Sequence, residues 1–138
     1  MDTDYLYKEK TERIIAAFYE VYNALGYGFL EKVYQNALYQ ELRRRGFQCE
    51  PQRHIEVYFK GHKVGDYFPD IIVDDCIILE LKAVETLCPE HEAQLINYLR
   101  STSIEVGLLL NFGMRPQVYR RIFTNDRKTN LCSSATSV

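Results

Sequence analysis

Two acids and a lysine, Asp70, Glu80 and Lys82, flank a pair of apolar triplets, Ile71-Ile72-Val73 and Ile77-Ile78-Leu79, with Asp74-Asp75-Cys76 between them. The pattern predicts a hairpin of two buried strands. With a three-residue loop, Val73 lies opposite Ile77 and Asp70 opposite Glu80, where side chains on one face have Cβ atoms about 4.5–5.5 Å apart. Lys82, two residues beyond Glu80, projects from the same face because the strand period is two. Any odd loop length keeps that parity, whereas a two-residue turn would send Glu80 to the opposite face.

Two carboxylates this close repel each other and are a poor structural choice at a strand end. A bound divalent cation reverses the sign. Mg²⁺ commonly takes one or two carboxylates together with waters and a substrate phosphate oxygen, so Asp70 and Glu80 suit half of such a site. The ion would polarise a phosphate and acidify a bound water, while a lysine beside it orients that water or offsets developing charge. The plainer reading makes Pro69-Asp70 a strand start and Glu80-Leu81-Lys82 a solvated strand end, since Glu-x-Lys alone is frequent by chance. The combination favours the chemistry: two apolar triplets, odd spacing, and acid, acid and base on one face.

The surrounding elements must hold that hairpin. Residues 6–25 predict an amphipathic helix, with Ile14, Ile15, Phe18, Val21, Tyr22 and Leu25 on one stripe, broken by Gly26-Tyr27-Gly28. A second helix is expected over about 29–45, its buried side carrying Leu30, Val33, Tyr34, Ala37, Leu38 and Leu42, with Gly46 capping its end. Ile55, Val57 and Phe59 then alternate with polar residues, Gly61 marks a turn, and 64–68 continues as a partner strand. After the second hairpin, Pro89 opens a third helix over roughly 89–101, 106–110 is a short apolar strand, and 114–123 forms a final element. From Thr124 onward the chain is polar and rich in Ser and Thr, which predicts a frayed tail. Helix, helix, hairpin, hairpin, helix, strand is most simply buried as a mixed sheet with helices on its faces.

The 138 residues suit one domain with one core, and 46% hydrophobic with 26% charged content is ordinary for a globular protein. No apolar run approaches the ~20 residues of a membrane span, and the opening MDTDYLYKEKTER is too polar for a signal peptide. The expectation is a cytoplasmic protein. Cys49, Cys76, Cys88 and Cys132 show no CxxC spacing, so they read as free thiols in a reducing compartment. A formal net charge of −2 argues against a protein that coats nucleic acid by charge alone, but not against an enzyme that meets phosphate through a metal. Arg43-Arg44-Arg45, Arg120-Arg121 and Arg127-Lys128 read either as solvated faces or as a patch that tracks a phosphate backbone. His54 and His62 have no ligand spacing and read as structural.

Pro69-Asp70 followed by Glu80-Leu81-Lys82 resembles the motif of the PD-(D/E)xK nuclease superfamily. Upstream, Gly28-Phe29-Leu30-Glu31-Lys32-Val33-Tyr34 resembles the signature of the small GxxExxY proteins of that superfamily. Leu25 to Glu31, Glu80 to Glu85, His91 to Leu95 and Leu110 to Gly113 look like further blocks of the same family, in the same order. The resemblance runs from about Ile14 to Ile122. It implies an α/β fold with a restriction-endonuclease-like core, a mixed β-sheet flanked by helices, as a single domain over 1–123 with 124–138 a flexible tail. It implies Asp70 and Glu80 as metal-binding acids, Lys82 as the catalytic lysine, and Glu31 as the helical glutamate that many members add to the metal site. Gln94 and Tyr98 match the Gln-x-x-x-Tyr pattern of the RecB-like branch, which lies beside the site.

The residues lend these positions some support of their own. Glu31 falls in a first helical turn, where the dipole favours negative charge, so plain helix-end electrostatics would also explain it. His91, Gln94 and Tyr98 share one helix face, although simple solvent exposure would produce the same trio. Tyr34 reads as core or as a capping contact rather than as catalytic.

The resulting expectation is a nuclease dependent on Mg²⁺ or Mn²⁺ that hydrolyses DNA or RNA, DNA ahead of RNA. One rival is a non-catalytic module of the same fold that binds nucleic acid or protein; another is a metal-dependent phosphohydrolase of small nucleotides. No recognisable DNA-reading domain is present. The small core therefore leaves substrate choice to loops, to a homodimer or to a protein partner, with no role for a membrane.

Overall fold

The computed structural model describes residues 6–128. Among them the elements run α1 (Lys8–Leu25), α2 (Glu31–Arg44), β1 (Cys49–Pro51), β2 (Ile55–Phe59), β3 (His62–Tyr67), β4 (Ile71–Val73), β5 (Ile77–Lys82), α3 (Pro89–Arg100), β6 (Val106–Phe112) and β7 (Pro116–Ile122), then a 3₁₀ turn at Asn125–Arg127. The main sheet has strand order β1-β4-β5-β6-β7. β5 and β6 are parallel and the other neighbours antiparallel, which makes β5-α3-β6 a crossover unit. This is the mixed sheet with flanking helices that the sequence pattern predicts.

Each helix is placed by its apolar stripe. α1 turns Ile14, Ala17, Phe18 and Val21 inward, and α2 turns Tyr34, Leu38 and Leu42 inward. Both cover one sheet face, where they meet Ile71, Val73, Ile77, Leu79, Leu81, Leu108, Leu110 and Phe112. α3 covers the opposite face with Leu95 and Leu99 against Ile72, Ile78 and Leu109. The triplets 71–73 and 77–79 are buried on both faces, which is why they read as apolar runs rather than as alternation. Gly46, at φ +95°, ends α2 in a conformation that favours glycine. Pro89 opens α3, and the N–H of its cap residue Cys88 donates to Nδ1 of His91 at 3.1 Å.

Several features differ from the sequence expectation. Leu30 and Val33, expected on the buried side of the second helix, are exposed, because Leu30 is the residue before α2 and its stripe turns inward only from Tyr34. β1 adds an edge strand against β4, which Cys49-Glu50-Pro51 does not announce, because a proline in a short polar stretch argues against a strand. The β2–β3 hairpin stands as a separate two-stranded sheet rather than joining the main one. β5 continues to Lys82 and β6 to Phe112, both beyond their expected ends. Residues 124–128 carry the 3₁₀ turn, with Lys128 Nζ donating to the carbonyls of Thr102 and Ile104 at 2.8 Å. The remainder of the expected tail, residues 129–138 with Cys132, lies outside the described residues. Cys49, Cys76 and Cys88 are free thiols, and among the described residues no helix is long and apolar enough to cross a membrane.

Candidate active site

The β4–β5 hairpin has the odd loop that the parity reasoning requires. Val73 pairs with Ile77, Ile72 with Ile78 and Ile71 with Leu79, so the next pair outward is Asp70 with Glu80. Asp74 and Asp75 both take positive φ, which closes the three-residue loop. The two acids bond reciprocally across the strands. The Asp70 N–H donates to Glu80 Oε1 at 3.0 Å, and the Leu81 N–H donates to Asp70 Oδ2 at 2.8 Å. Each carboxylate therefore finishes the ladder where the backbone pairing stops.

Asp70, Glu80 and Lys82 share the parity of Ile72 and Ile78, whose side chains pack against α3. Glu80 is 4% exposed. Burial, and then the charge of Asp70, push its carboxyl up to about 8, against the pull of the Asp70 N–H and of Lys82. Asp70 is raised as well, by burial, with the Leu81 N–H, Lys82 and Lys32 pulling the other way. Neither acid forms an ion pair within 4.0 Å among the described residues. A buried, close, unpaired carboxylate pair is stabilised by a cation more than by any other ligand.

The other expected residues arrive from two helices on opposite faces of the sheet. Glu31 is the first residue of α2. Partial burial raises its carboxyl; Lys82 and His91 oppose this, and Asp70 adds to it. It is thus within electrostatic reach of the pair. Among the described residues the Glu31, Asp70 and Glu80 ligand atoms do not all gather within 4.8 Å of one another. On α3, Gln94 Nε2 donates to the Tyr98 hydroxyl at 3.1 Å. Burial, then the charges of Glu80 and Asp70, hold the Tyr98 phenol well above its ordinary value, so it remains a donor near the acids.

Two buried polar side chains that sequence reasoning did not single out brace the site. Gln35, one turn after Glu31 on α2, donates from Nε2 to the Asp70 carbonyl at 3.0 Å. Asn111, fully buried on β6 and paired in register with Lys82, accepts from the Val84 N–H at 3.0 Å and donates to the Val84 carbonyl at 2.9 Å. Gly113 follows, where a Cβ would run into that same carbonyl oxygen. Together they pin the chain as it leaves β5 just after Lys82. The legible signal for Asn111 is an amide inside an otherwise apolar run; for Gln35 it is the four-residue step from Glu31. Tyr34 is a capping contact: its hydroxyl donates to the Gly26 carbonyl at 2.6 Å and accepts from the Phe29 N–H at 3.2 Å.

A second gathering of ligand atoms lies on the β2–β3 hairpin. His54, Glu56 and Asp66 bring ligand atoms within 4.8 Å of one another. Spacing alone makes His54 structural; this set exists only because the hairpin pairs Glu56 with Asp66. A cation is already there: Lys63 Nζ lies 2.8 Å from Asp66 Oδ1 and 3.4 Å from Glu56 Oε2. The Glu56 carboxyl is held low by the Tyr58 hydroxyl and then Lys63, and that of Asp66 by Lys63 and then His54. The arginine clusters are likewise occupied. Arg44 and Arg45 pair with Glu41, Arg121 with Glu92, and Arg120 donates to the Leu6 carbonyl.

Comparison with known proteins agrees with this architecture. The family model described as the PD-(D/E)XK nuclease superfamily matches residues 8–122. The crystal structure of SSO0001 is similar in fold, with a TM-score of 0.53 at 20% sequence identity. That match covers 86% of this chain and 60% of the other, so this chain spans less than two thirds of its length. No curated protein matches the chain.

Proposed function

The chain belongs to the PD-(D/E)XK nuclease superfamily, and from that premise we propose a nuclease that uses Mg²⁺ or Mn²⁺ to hydrolyse phosphodiester bonds, DNA ahead of RNA. The observation that carries this reading is the buried, reciprocally bonded Asp70–Glu80 pair, with Glu80 raised to about 8 and Lys82 on the same strand face. The donor set is all oxygen, as hard divalent ions require. Asp70 and Glu80 would hold the ion, with Glu31 adding a third carboxylate. A divalent ion there supplies Lewis acidity at the phosphate and a more acidic water.

Lys82 has no lone pair to offer a metal, so its part is to orient the attacking water and steady charge on the phosphate. Gln94 would hold the Tyr98 hydroxyl in place near the two acids. Gln35 and Asn111 keep Asp70 and Lys82 in place. The affiliation with the GxxExxY proteins rests on the sequence blocks around Glu31, Glu80 and Asn111. Free thiols support a reducing, cytoplasmic setting. Because the arginine clusters are largely engaged internally, a second copy or a protein partner would enlarge the substrate surface.

One assay tests the reading: single- and double-stranded DNA and RNA incubated with the protein in Mg²⁺, Mn²⁺ or EDTA. Cleavage of polynucleotide that is lost on chelation is the expected result. Cleavage of mononucleotides alone would shift the assignment to a small-nucleotide phosphohydrolase. No cleavage with any metal would make the protein a binding module that keeps its acids for structure.

A further inference from the structure

The β2–β3 hairpin stands apart from the main sheet, and a two-stranded ribbon is marginally stable unless something fastens it. At its base Ile55 is buried in the core on the α3 side, and Tyr67 meets Tyr98 edge-on at 5.0 Å. Ile55 and Tyr67 face each other across the strands, and so does the next pair, Glu56 with Asp66. That second pair projects from the other face of the ribbon, together with His54 two residues before Glu56. Like charges directly opposite on neighbouring strands destabilise a ribbon unless a cation sits between them. Lys63 Nζ lies there, 2.8 Å from Asp66 Oδ1 and 3.4 Å from Glu56 Oε2, but one ammonium offsets only one of the two carboxylates. His54 Nε2 approaches the same Asp66 oxygen at 2.5 Å.

Two residues outside this set aim its members. The Tyr58 hydroxyl donates to Glu56 Oε1 at 2.9 Å, which leaves Oε2 towards Lys63. The His54 ring lies flat on Phe68, with centroids 5.0 Å apart and planes 13° apart. Outer partners that orient an imidazole and a carboxylate are what metal centres use; exposed ion pairs between flexible side chains form without them. The ligand atoms of His54, Glu56 and Asp66 lie within 4.8 Å of one another. A tetrahedral site with bonds near 2.1 Å has its ligands about 3.4 Å apart, so closing on an ion takes side-chain shifts of about 1 Å.

We propose that His54, Glu56 and Asp66 form a Zn²⁺ site, separate from the Asp70–Glu80 pair, that fastens the hairpin across its two strands. One nitrogen and two oxygens supply three of the four ligands that Zn²⁺ takes, and water completes the set. On binding, the Nε2 lone pair of His54 meets the ion and the ring proton sits on Nδ1. Lys63, held only by exposed ion pairs that contribute little, turns to solvent still protonated. Imidazole favours Zn²⁺, whereas Mn²⁺ stands at the weak end of the affinity order and suits oxygen ligands, so Mn²⁺ is left to Asp70 and Glu80. The proposal does not depend on the nuclease reading.

Calorimetric titration of the tag-free full chain with Zn²⁺ tests this, in a Glu80→Gln background that takes the other acid pair out of the measurement. One saturable step should appear. Co²⁺ in place of Zn²⁺ should give the visible bands of a nitrogen–oxygen site, without charge transfer from a thiolate. His54→Ala should abolish the step. Tyr58→Phe should weaken it about 10- to 100-fold, as loss of an outer partner does, and Lys63→Gln should tighten it by removing the competing cation. Lys63 is exposed, so Lys63→Gln remains decisive if His54→Ala fails to fold. No Zn²⁺ uptake, uptake unchanged by His54→Ala, weaker binding in Lys63→Gln, or a thiolate band with Co²⁺ would each overturn the proposal, whether or not the protein cleaves nucleic acid.

Discussion

The two ends of the β4–β5 hairpin carry acids in opposite electrostatic condition. At the loop end, burial alone would raise the Asp74 carboxyl, but Lys10 at 2.6 Å and the Gln48 N–H at 2.8 Å hold it below its usual value. Asp75 beside it pairs with Arg53 at 2.6 Å. At the open end, Asp70 and Glu80 are bonded only to backbone N–H groups, and both carboxyls are pushed up. The same strands and similar backbone bonds serve both ends; the difference is a cation in ion-pair contact, since Lys82 and Lys32 act on the open end only through space. The loop-end acids have their counter-charge in contact and the open-end acids do not, the condition in which carboxyls are commonly found at functional sites. The set on β2–β3 follows the first pattern, with Lys63 supplying the charge.

The contrast can be broken most sharply through catalysis. Lys82→Ala should cut turnover by about 10²–10³-fold, as for other single electrostatic groups, while divalent-ion binding by calorimetry stays largely intact. Glu80→Ala should lose both. A Lys82→Ala protein that cleaves as fast as wild type would end the proposed role. Next in size is the response to metal. At a free Mn²⁺ concentration of about 100 Kd the wild type should gain roughly 2.7 kcal/mol, read as a rise in Tm. Asp70→Asn, which keeps an oxygen to accept the Leu81 N–H, should blunt the gain; Asp74→Asn and Asp66→Asn should keep it. If Asp66→Asn removes the gain instead, the ion sits on the β2–β3 hairpin.

The pH dependence has a defined sign. Glu80 is raised in the folded state, so the folded protein binds the extra proton, and this contribution is fully present below pH 4.5. It is lost as pH rises towards about 8. Without metal the Tm should therefore fall across that window, and Glu80→Gln should flatten the fall; saturating Mn²⁺ should reverse it, because the ion binds the deprotonated pair. The smallest effect contrasts the two aspartates in the apo protein at pH 8.5. Asp74→Ala should destabilise by about 1–2 kcal/mol in urea unfolding, through loss of charged hydrogen bonds. Asp70→Asn should instead leave stability equal or higher. Destabilisation by both would mean that the open end is as satisfied as the loop end.

Much of the site was legible because its central relation is local. Strand period and loop parity alone put Asp70 across from Glu80 and Lys82 on their face, and both depend on contacts within 13 residues of chain, from 70 to 82. Amphipathic stripes likewise located the first two helices, since burying an apolar face needs only its own spacing, and Pro89 marked the start of the third. What sequence could not supply is pairing between distant segments. β1 joins β4 through backbone bonds that any side chains allow, and β2–β3 stays apart from the main sheet for reasons no alternation records. Gln35 reaches the Asp70 carbonyl, and Asn111 clasps Val84, only after α2 and β6 have packed. The sequence by itself determined which acids stand together, because period two is a property of any strand. The tertiary structure decided that they stand buried and braced, with no ion pair among the described residues, because desolvation and long-range hydrogen bonds exist only once the layers have closed.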